Sequence, residues 1–299
     1  MSEGIVHWSD GWTWYRVEGD LHAGGPTPLL ILHGGPGDAH DYVEPIAELA
    51  TIASRPCVLY DQIGCGRSQH LPDAPVHLWT VELFCRELDA LIVELGISGS
   101  YHVLGQSWGG MLAMEHALEH PPGLRSLVVA NSPASIELWV QEADRLRSGL
   151  PSDVQEALSR HEAVGTTDSD EYEQAAMRFY ERHLCRIVPF PDPLQRSFAH
   201  QAKDPSVYHA MNGPSEFHVI GTLRDWDITP RLRELRIPVL VISGEHDEAT
   251  PAVVRPLVDA LPDAHWELLP GASHCAHLEQ PERFLALVEA FLAAHDRVP

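Results

Sequence analysis

A serine between two glycines follows an apolar run in this chain and has the spacing of an activated nucleophile. The run covers residues 101–104 and leads directly into the sequence GQSWG at residues 105–109. In a GxSxG pattern the serine stands on a sharp turn between a strand and a helix, where the glycines avoid collisions with the neighbouring backbone. The pattern predicts that Ser107 is a nucleophile. An ordinary strand-to-helix junction is the alternative, because a bare GxSxG also arises by chance.

Such a serine needs an acid and then a histidine, each placed just after a later strand. The apolar run 238–242 leads to Asp247, and the strand candidate 264–269 leads to His274. A histidine can take the proton of the serine hydroxyl, and a carboxylate can hold the imidazole in the required tautomer. We therefore predict a catalytic triad of Ser107, Asp247 and His274.

Other residues compete for the roles of acid and base. Glu245 and Glu248 carry the same charge as Asp247. His277 lies three residues beyond His274. Position favours His274, because it is nearer the end of its strand, whereas His277 leads into a predicted C-terminal helix. These competitors remain as alternatives.

An oxyanion hole needs two backbone N–H groups, one from the residue after the nucleophile and one from an early loop. Trp108 supplies the first group. The apolar run 28–32 leads into the sequence HGGPG at residues 33–37, which can supply the second. This segment lacks the lysine and the spacing of glycine-rich loops that bind phosphate. A simple tight turn is the remaining alternative.

The composition predicts a soluble globular protein. With 299 residues, of which 44% are hydrophobic, the chain can bury a large core and form one domain plus an insertion. Its net charge of −23 argues against binding to nucleic acid or to an anionic membrane, since both attract lysine and arginine. The acidic charge mildly favours cationic substrates.

The cysteines and the N-terminus indicate the compartment. The five cysteines are scattered and have no CxxC spacing, so they imply neither a disulfide framework nor a zinc site. Reduced thiols fit the cytosol. Residues 1–11 lack the features of a signal peptide, and no run approaches the roughly 18 apolar residues of a membrane span. We expect a cytoplasmic protein that needs no metal and no organic cofactor.

The elements that would position these residues follow a regular order. Apolar runs that suit buried strands alternate with helical patterns such as residues 80–95. This alternation predicts an α/β fold with a mostly parallel, doubly wound sheet and helices on both faces. Besides residues 264–269, the strand candidates are residues 29–32, 58–60, 101–104, 124–130 and 238–242.

The alternation stops between about residues 135 and 227. Charged, helix-forming stretches replace it there, among them residues 137–147 and 171–185. We predict a helical cap of residues 135–227 inserted into a core of residues 1–134 and 228–299. Five aromatic residues of the cap are candidates either for lining a pocket or for packing in its core. They are Trp139, Phe179, Tyr180, Tyr208 and Phe217.

Three segments together resemble the proline iminopeptidase family of α/β-hydrolases, which also includes amino-acid amidases. They are HGGPG at residues 33–37, DQIGCGRS at 61–68 and GQSWGG at 105–110, and the similarity covers most of the chain. The resemblance implies an α/β-hydrolase fold with the triad already predicted. It also implies that the N–H groups of Gly35 and Trp108 form the oxyanion hole.

A fourth segment, MNGPSEF at residues 211–217, resembles the cap segment of tricorn-interacting aminopeptidases and related amidases. The resemblance implies that Glu216 and Glu248 hold the free α-ammonium group of the substrate. Two carboxylates that face one pocket repel each other unless a cation lies between them. The implied activity is that of a serine aminopeptidase or amino-acid amidase, which acts on a small peptide or an amide through an acyl-enzyme. A solvated loop carboxylate is the alternative for Glu216.

Two other functions remain open at this point. An esterase or lactonase could use the same scaffold, since fold and triad do not determine the substrate. A non-catalytic protein that binds small molecules could also retain a hydrolase shell. The sequence predicts neither the preferred N-terminal residue nor the oligomeric state.

Overall fold

The chain folds around an eight-stranded sheet, seen in a computed structural model that describes residues 1–296. The last three residues of the predicted core segment 228–299 therefore lie outside the described residues. The strands are β1 (Ser2–Trp8), β2 (Gly11–Glu18), β3 (Leu29–Leu32), β4 (Cys57–Tyr60), β5 (Tyr101–Gln106), β6 (Leu124–Ala130), β7 (Val239–Gly244) and β8 (Ala264–Leu269).

The sheet is mostly parallel, as predicted. Its strand order is β1-β2-β4-β3-β5-β6-β7-β8, and every neighbouring pair from β4 to β8 is parallel. Strands β1 and β2 form an antiparallel hairpin at one edge. Parallel neighbours bring the carboxyl ends of β3, β5, β7 and β8 to the same edge of the sheet, which is where α/β folds build their sites.

Helices cover both faces of this sheet. On β3, Leu30 and Leu32 pack into one apolar core, whereas Leu29 and Ile31 pack into the core on the opposite face. Within residues 1–296, no helix combines the length and the hydrophobicity that crossing a bilayer requires. The helices are α1 (Leu49–Ile52), α2 (Val81–Glu94), α3 (Trp108–Leu118), α4 (Ile136–Arg147), α5 (Ser152–Val164), α6 (Asp170–His183), α7 (Asp192–Lys203), α8 (Ser206–Met211), α9 (Pro251–Ala260), α10 (Ala276–Glu279) and α11 (Pro281–His295).

Helices α4 to α8 lie between β6 and β7 and form the segment of residues 135–227, called the helical segment below. Its two ends are joined, because Ser135 and Asp227 form an isolated antiparallel bridge. Two backbone hydrogen bonds of 3.0 Å flank this bridge. The helical segment also has a small apolar core of its own, which includes Leu158 and Phe179. Its status as a separate cap domain stays a prediction.

Candidate active site

Ser107 occupies the sharp turn between β5 and α3. Its backbone has φ 56° and ψ −123°, a conformation that is strained for any residue with a side chain. The flanking glycines are required at this turn, since a Cβ on Gly105 would lie 2.0 Å from the carbonyl oxygen of Gly109. The turn therefore presents Ser107 at the carboxyl edge of the sheet, as the GxSxG pattern predicts.

His274 and Asp247 meet beyond the ends of β8 and β7. His274 Nδ1 donates to Asp247 Oδ1 at 2.8 Å, and both side chains are buried. Asn131 Nδ2 donates to Asp247 Oδ2 at 2.6 Å, and the backbone N–H of Ala249 donates to Oδ1 at 2.8 Å. These bonds fix the carboxylate, which in turn fixes the tautomer of His274 and leaves its Nε2 able to accept a proton.

The competing residues take other positions. His277 Nε2 donates to the backbone oxygen of Tyr42 at 2.9 Å, and burial lowers the pKa of His277 to about 4. Glu245 is exposed and accepts a hydrogen bond from the N–H of Gly271 at 2.9 Å. The structure thus brings Asp247 to His274 and directs Glu245 to the surface.

Ser107 and His274 both line a cavity of about 760 Å³ that opens to solvent. The floor comes from the loops after β3, β5 and β8, and the helical segment supplies the roof. We call this space the main cavity. Tyr180, Tyr208 and Glu216 are among its roof residues.

A narrower recess opens beside Ser107 and is mainly apolar. We call it the side recess. Trp139 lines it, and the ring of this residue also packs edge-on against His274 with 5.7 Å between the ring centres. Gly35, Ser107 and Glu216 line both the side recess and the main cavity. The other apolar residues of the side recess are Pro36, Trp108, Met111, Pro133, Ile136 and Leu223.

The predicted oxyanion groups lie next to Ser107. A Cβ added to Gly34 would approach the Ser107 Cβ to 2.9 Å, so the loop that carries Gly35 packs directly on the serine. The N–H of Gly34 itself donates to the hydroxyl of Tyr42 at 2.7 Å. Trp108 is the first residue of α3, where backbone N–H groups have no acceptor within the helix.

Two carboxylates lie in this region, of which Glu248 is buried and Glu216 is partly exposed. Glu216 Oε1 accepts a hydrogen bond from the Tyr208 hydroxyl at 2.8 Å. Glu248 Oε1 lies 3.7 Å from His274 Nε2, and Glu248 is only 1% exposed. Neither carboxylate oxygen of Glu248 has a hydrogen-bond partner within residues 1–296. Burial raises the pKa of Glu216 and of Glu248, because each charge is costly without a cation.

The charge of His274 follows from these neighbours. Burial alone lowers its pKa, but the carboxylates of Asp247, Glu248 and Glu216 favour the imidazolium. The outcome is a pKa of about 9. The protonation of His274 is therefore coupled to the carboxylates on both sides of the ring.

Three further side chains at the site are not in the predicted set. Asn131, directly after β6, holds Asp247, and a polar residue at the end of an apolar strand is a signal that could have identified it. Tyr42 donates to Gln106 and accepts from the loop before Gly35. Asp38 lines the main cavity. Neither Tyr42 nor Asp38 has a local sequence signal.

The five candidate aromatic residues divide between the two expected roles. Tyr180 and Tyr208 line the main cavity, and Trp139 lines the side recess. Phe179 and Phe217 pack in the small core of the helical segment. Each of the three aromatic residues that line a cavity also forms a hydrogen bond with Glu216.

Comparison with known proteins gives consistent results. The family model for the alpha/beta hydrolase fold matches residues 27–281. The proline iminopeptidase of Levilactobacillus brevis is 41% identical over 290 residues, which cover 96% of this chain and 94% of that protein. A solved structure of the proline iminopeptidase of Mycobacterium smegmatis superimposes with a TM-score of 0.90 at 52% identity, with 99% of each chain covered. The crystal structure of VinJ superimposes with a TM-score of 0.96, also at 52% identity, over 98% of this chain and 99% of that one.

Proposed function

The chain belongs to the proline iminopeptidase family of α/β-hydrolases, and from this premise we propose that it cleaves the amide bond after an N-terminal residue with a free α-amino group. The substrate is a short peptide or an amino-acid amide. Catalysis proceeds by a serine mechanism in which Ser107 forms an acyl-enzyme. Residues 135–227 act as a cap over the site. Cytoplasmic action, expected from the cysteines, stays a prediction.

The observation that carries this proposal is the Glu248 carboxylate. It is buried, it has no hydrogen-bond partner within the described chain, and it lies 3.7 Å from His274 Nε2. A buried carboxylate without a partner is unfavourable, and a cation of the substrate would relieve that cost. Glu216, which lines both cavities beside Ser107, supplies a second negative charge for the same cation.

In the proposed first step, Ser107 Oγ attacks the carbonyl carbon while His274 Nε2 takes the hydroxyl proton. Asp247 keeps the imidazole oriented and stabilises its positive charge. The N–H groups of Gly35 and Trp108 donate to the oxygen that becomes negative. His274 then gives the proton to the leaving amine, and water hydrolyses the acyl-enzyme by the same route. None of these steps uses a metal or an organic cofactor.

The nucleophile is tested by Ser107→Ala. We expect kcat on an aminoacyl p-nitroanilide to fall by roughly 10⁴- to 10⁶-fold, because removing the nucleophile of a triad leaves only binding and oxyanion stabilisation. A serine-directed phosphonate should label the wild type once, at Ser107. A folded variant that keeps more than about a tenth of the activity would show that another residue is the nucleophile.

The substrate class is tested by removing one negative charge at a time. Glu216→Gln and Glu248→Gln should each lower kcat/KM for aminoacyl substrates by roughly ten- to a hundredfold, as the loss of a charge-assisted hydrogen bond implies. N-acetylation of the substrate should have a similar effect, because it removes the cation. Equal cleavage of acetylated and free-amine substrates would favour an esterase or lactonase instead. No turnover of any substrate would favour a binding protein.

A further inference from the structure

The two spaces beside Ser107 differ greatly in size. The side recess, bounded by α3 and α4, has a volume of about 20 Å³ and holds little more than one water molecule, whereas the main cavity of about 760 Å³ has room for a substrate. The part of a peptide that follows the scissile bond has no fixed length and needs an opening to solvent. The main cavity has that opening, and His274, which would protonate the leaving amine, lines it. Given the proposed function, residues after the scissile bond therefore extend into the main cavity.

Asp38 lies in this part of the site. It follows the HGGPG segment, lines the main cavity and is only 9% exposed. Gln201 Nε2 donates to its Oδ1 at 3.2 Å, and within residues 1–296 no donor reaches Oδ2. Burial, together with the nearby charge of Glu216, raises the pKa of Asp38 to about 7. One oxygen of a buried carboxyl group is thus free to bind a ligand.

Apart from His274, whose pKa of about 9 favours the imidazolium, the charged side chains among the described lining residues are acidic. Within residues 1–296 the main cavity is lined by five acidic residues and by no lysine or arginine. Glu162 is neutralised by Arg147 at 3.0 Å, whereas Asp168 and Glu173 are exposed where the cavity meets solvent. The five acidic residues are Asp38, Glu162, Asp168, Glu173 and Glu216. A positively charged group on the residue after the scissile bond would therefore be attracted first by Asp168 and Glu173, where the cavity opens to solvent. It would lose its bound water only near Asp38.

We propose that Asp38 determines specificity on the leaving side, by binding a positively charged side chain on the residue after the scissile bond. The preferred substrates carry two cations, the α-ammonium group between Glu216 and Glu248 and a lysine-like group at Asp38. This inference rests on the proposed function and adds a second subsite to it.

The test compares two dipeptide amides that differ mainly in one charge. Prolyl-lysine amide and prolyl-norleucine amide are incubated with the wild type, and release of the N-terminal residue gives kcat/KM for each. We expect the lysine substrate to be preferred by roughly tenfold or more. Asp38→Asn, which keeps the size and the acceptor for Gln201, should bring the ratio close to one, mainly through loss on the lysine substrate. Asp38→Ser gives the same comparison if the Asn variant does not fold.

Glu173→Gln is the matched control, because it removes one acidic charge from the same cavity at an exposed position. It should retain the preference for lysine. If Glu173→Gln and Asp38→Asn reduce the ratio equally, general attraction explains the preference and the subsite at Asp38 is wrong. A wild-type ratio near one also overturns it.

The two proposals can fail separately. Cleavage of aminoacyl p-nitroanilides without cleavage of either dipeptide amide would overturn the subsite and leave the amidase activity intact. Failure on every substrate with a free α-amino group would overturn the proposed function itself.

Discussion

At the scale of single residues, the charge of His274 determines when it can act as a base. Asp247, Glu248 and Glu216 together hold its pKa at about 9, against the effect of burial. In the proposed mechanism His274 is the general base and must be unprotonated, so the charges of Glu216 and Glu248 oppose catalysis near neutral pH until substrate binds. A substrate ammonium group between Glu216 and Glu248 would compete with the imidazolium for their charge and lower the pKa of His274. In the proposed mechanism the correct substrate therefore activates its own base.

Glu248→Gln tests this coupling with a neutral ester as substrate. Removing one of the carboxylates that favour the imidazolium should lower the pKa of His274, so the rise of kcat/KM with pH should move to lower pH. The rate above that rise should change little, since the ester has no ammonium group to bind. The pH profile of kcat/KM is the measurement.

Glu245→Gln is the control, because its carboxylate lies on the same loop but is exposed. Its profile should match that of the wild type. A Glu248→Gln profile that is unchanged, or shifted to higher pH, would contradict the assigned role of Glu248.

The positions of Ser107, Asp247 and His274 can be predicted from the sequence for a physical reason. Each follows a strand predicted from the sequence, and the carboxyl ends of parallel strands lie at one edge of the sheet, so the order along the chain predicts that the three residues lie close together. Asp38 cannot be found in this way. Its place in the main cavity depends on Gln201 of α7, more than a hundred residues away, and on how the helical segment folds over the sheet.

At the scale of elements, a buried carboxyl group joins helix α2 to the sheet. Glu87 Oε1 accepts hydrogen bonds from the hydroxyl of Thr13 on β2 and, at 2.7 Å, from the N–H of Ile63. Within the described chain its Oε2 has no partner. Burial raises the pKa of Glu87 to about 8, so the folded protein keeps this proton at neutral pH.

The raised pKa predicts a pH-dependent stability. The unfolded chain loses the Glu87 proton near the ordinary value of 4.5, whereas the folded chain keeps it up to about pH 8. The free energy of unfolding therefore falls as pH rises through this window, by at most about 1.4 kcal/mol per pH unit. Glu87→Gln cannot ionise and should show a weaker decline. Urea unfolding of both proteins near pH 5 and near pH 8 checks this, and parallel declines would contradict it.

Most strands can be predicted because they are buried on both faces. Strands β3, β6 and β8 have the predicted bounds, and the other predicted strands differ by one or two residues at one end or, for β7, at both ends. Strands β1 and β2 were not predicted, because β1 lies at the sheet edge and buries only Val6. The turn between them consists of Ser9 and Asp10, and these turn-forming residues, followed by Gly11, were an available signal.

At the scale of the whole molecule, one buried arginine connects the sheet to the last helix. The Arg55 side chain is fully buried and forms paired hydrogen bonds of 2.7 to 2.9 Å with Glu289 and with Asp296. It also donates to the backbone oxygen of Thr27 at 2.7 Å. The guanidinium group depends on these partners, because a buried charge without them is strongly destabilising.

Asp296→Ala should therefore destabilise the fold. It removes two charge-assisted bonds from Arg55, and we expect the free energy of unfolding to fall by about 2 to 3 kcal/mol. The midpoint of urea unfolding, followed by tryptophan fluorescence, is the measurement. Asp225→Ala breaks the exposed pair with Arg224 and should leave the midpoint unchanged. Equal midpoints for both variants would show that the cluster contributes little.

The bridge between Ser135 and Asp227 has a consequence for how such enzymes diversify. Since the chain leaves the sheet and returns to it at neighbouring residues, the distance to be spanned does not depend on what is inserted between them. The entropy of closing such a loop rises slowly, by about 0.6 kcal/mol for each doubling of its length. Helices can therefore be lengthened, shortened or exchanged between relatives at this junction, while the strands that carry Ser107 and His274 keep their register. Recombination at these two positions is a route to new substrate ranges that leaves the reaction chemistry in place.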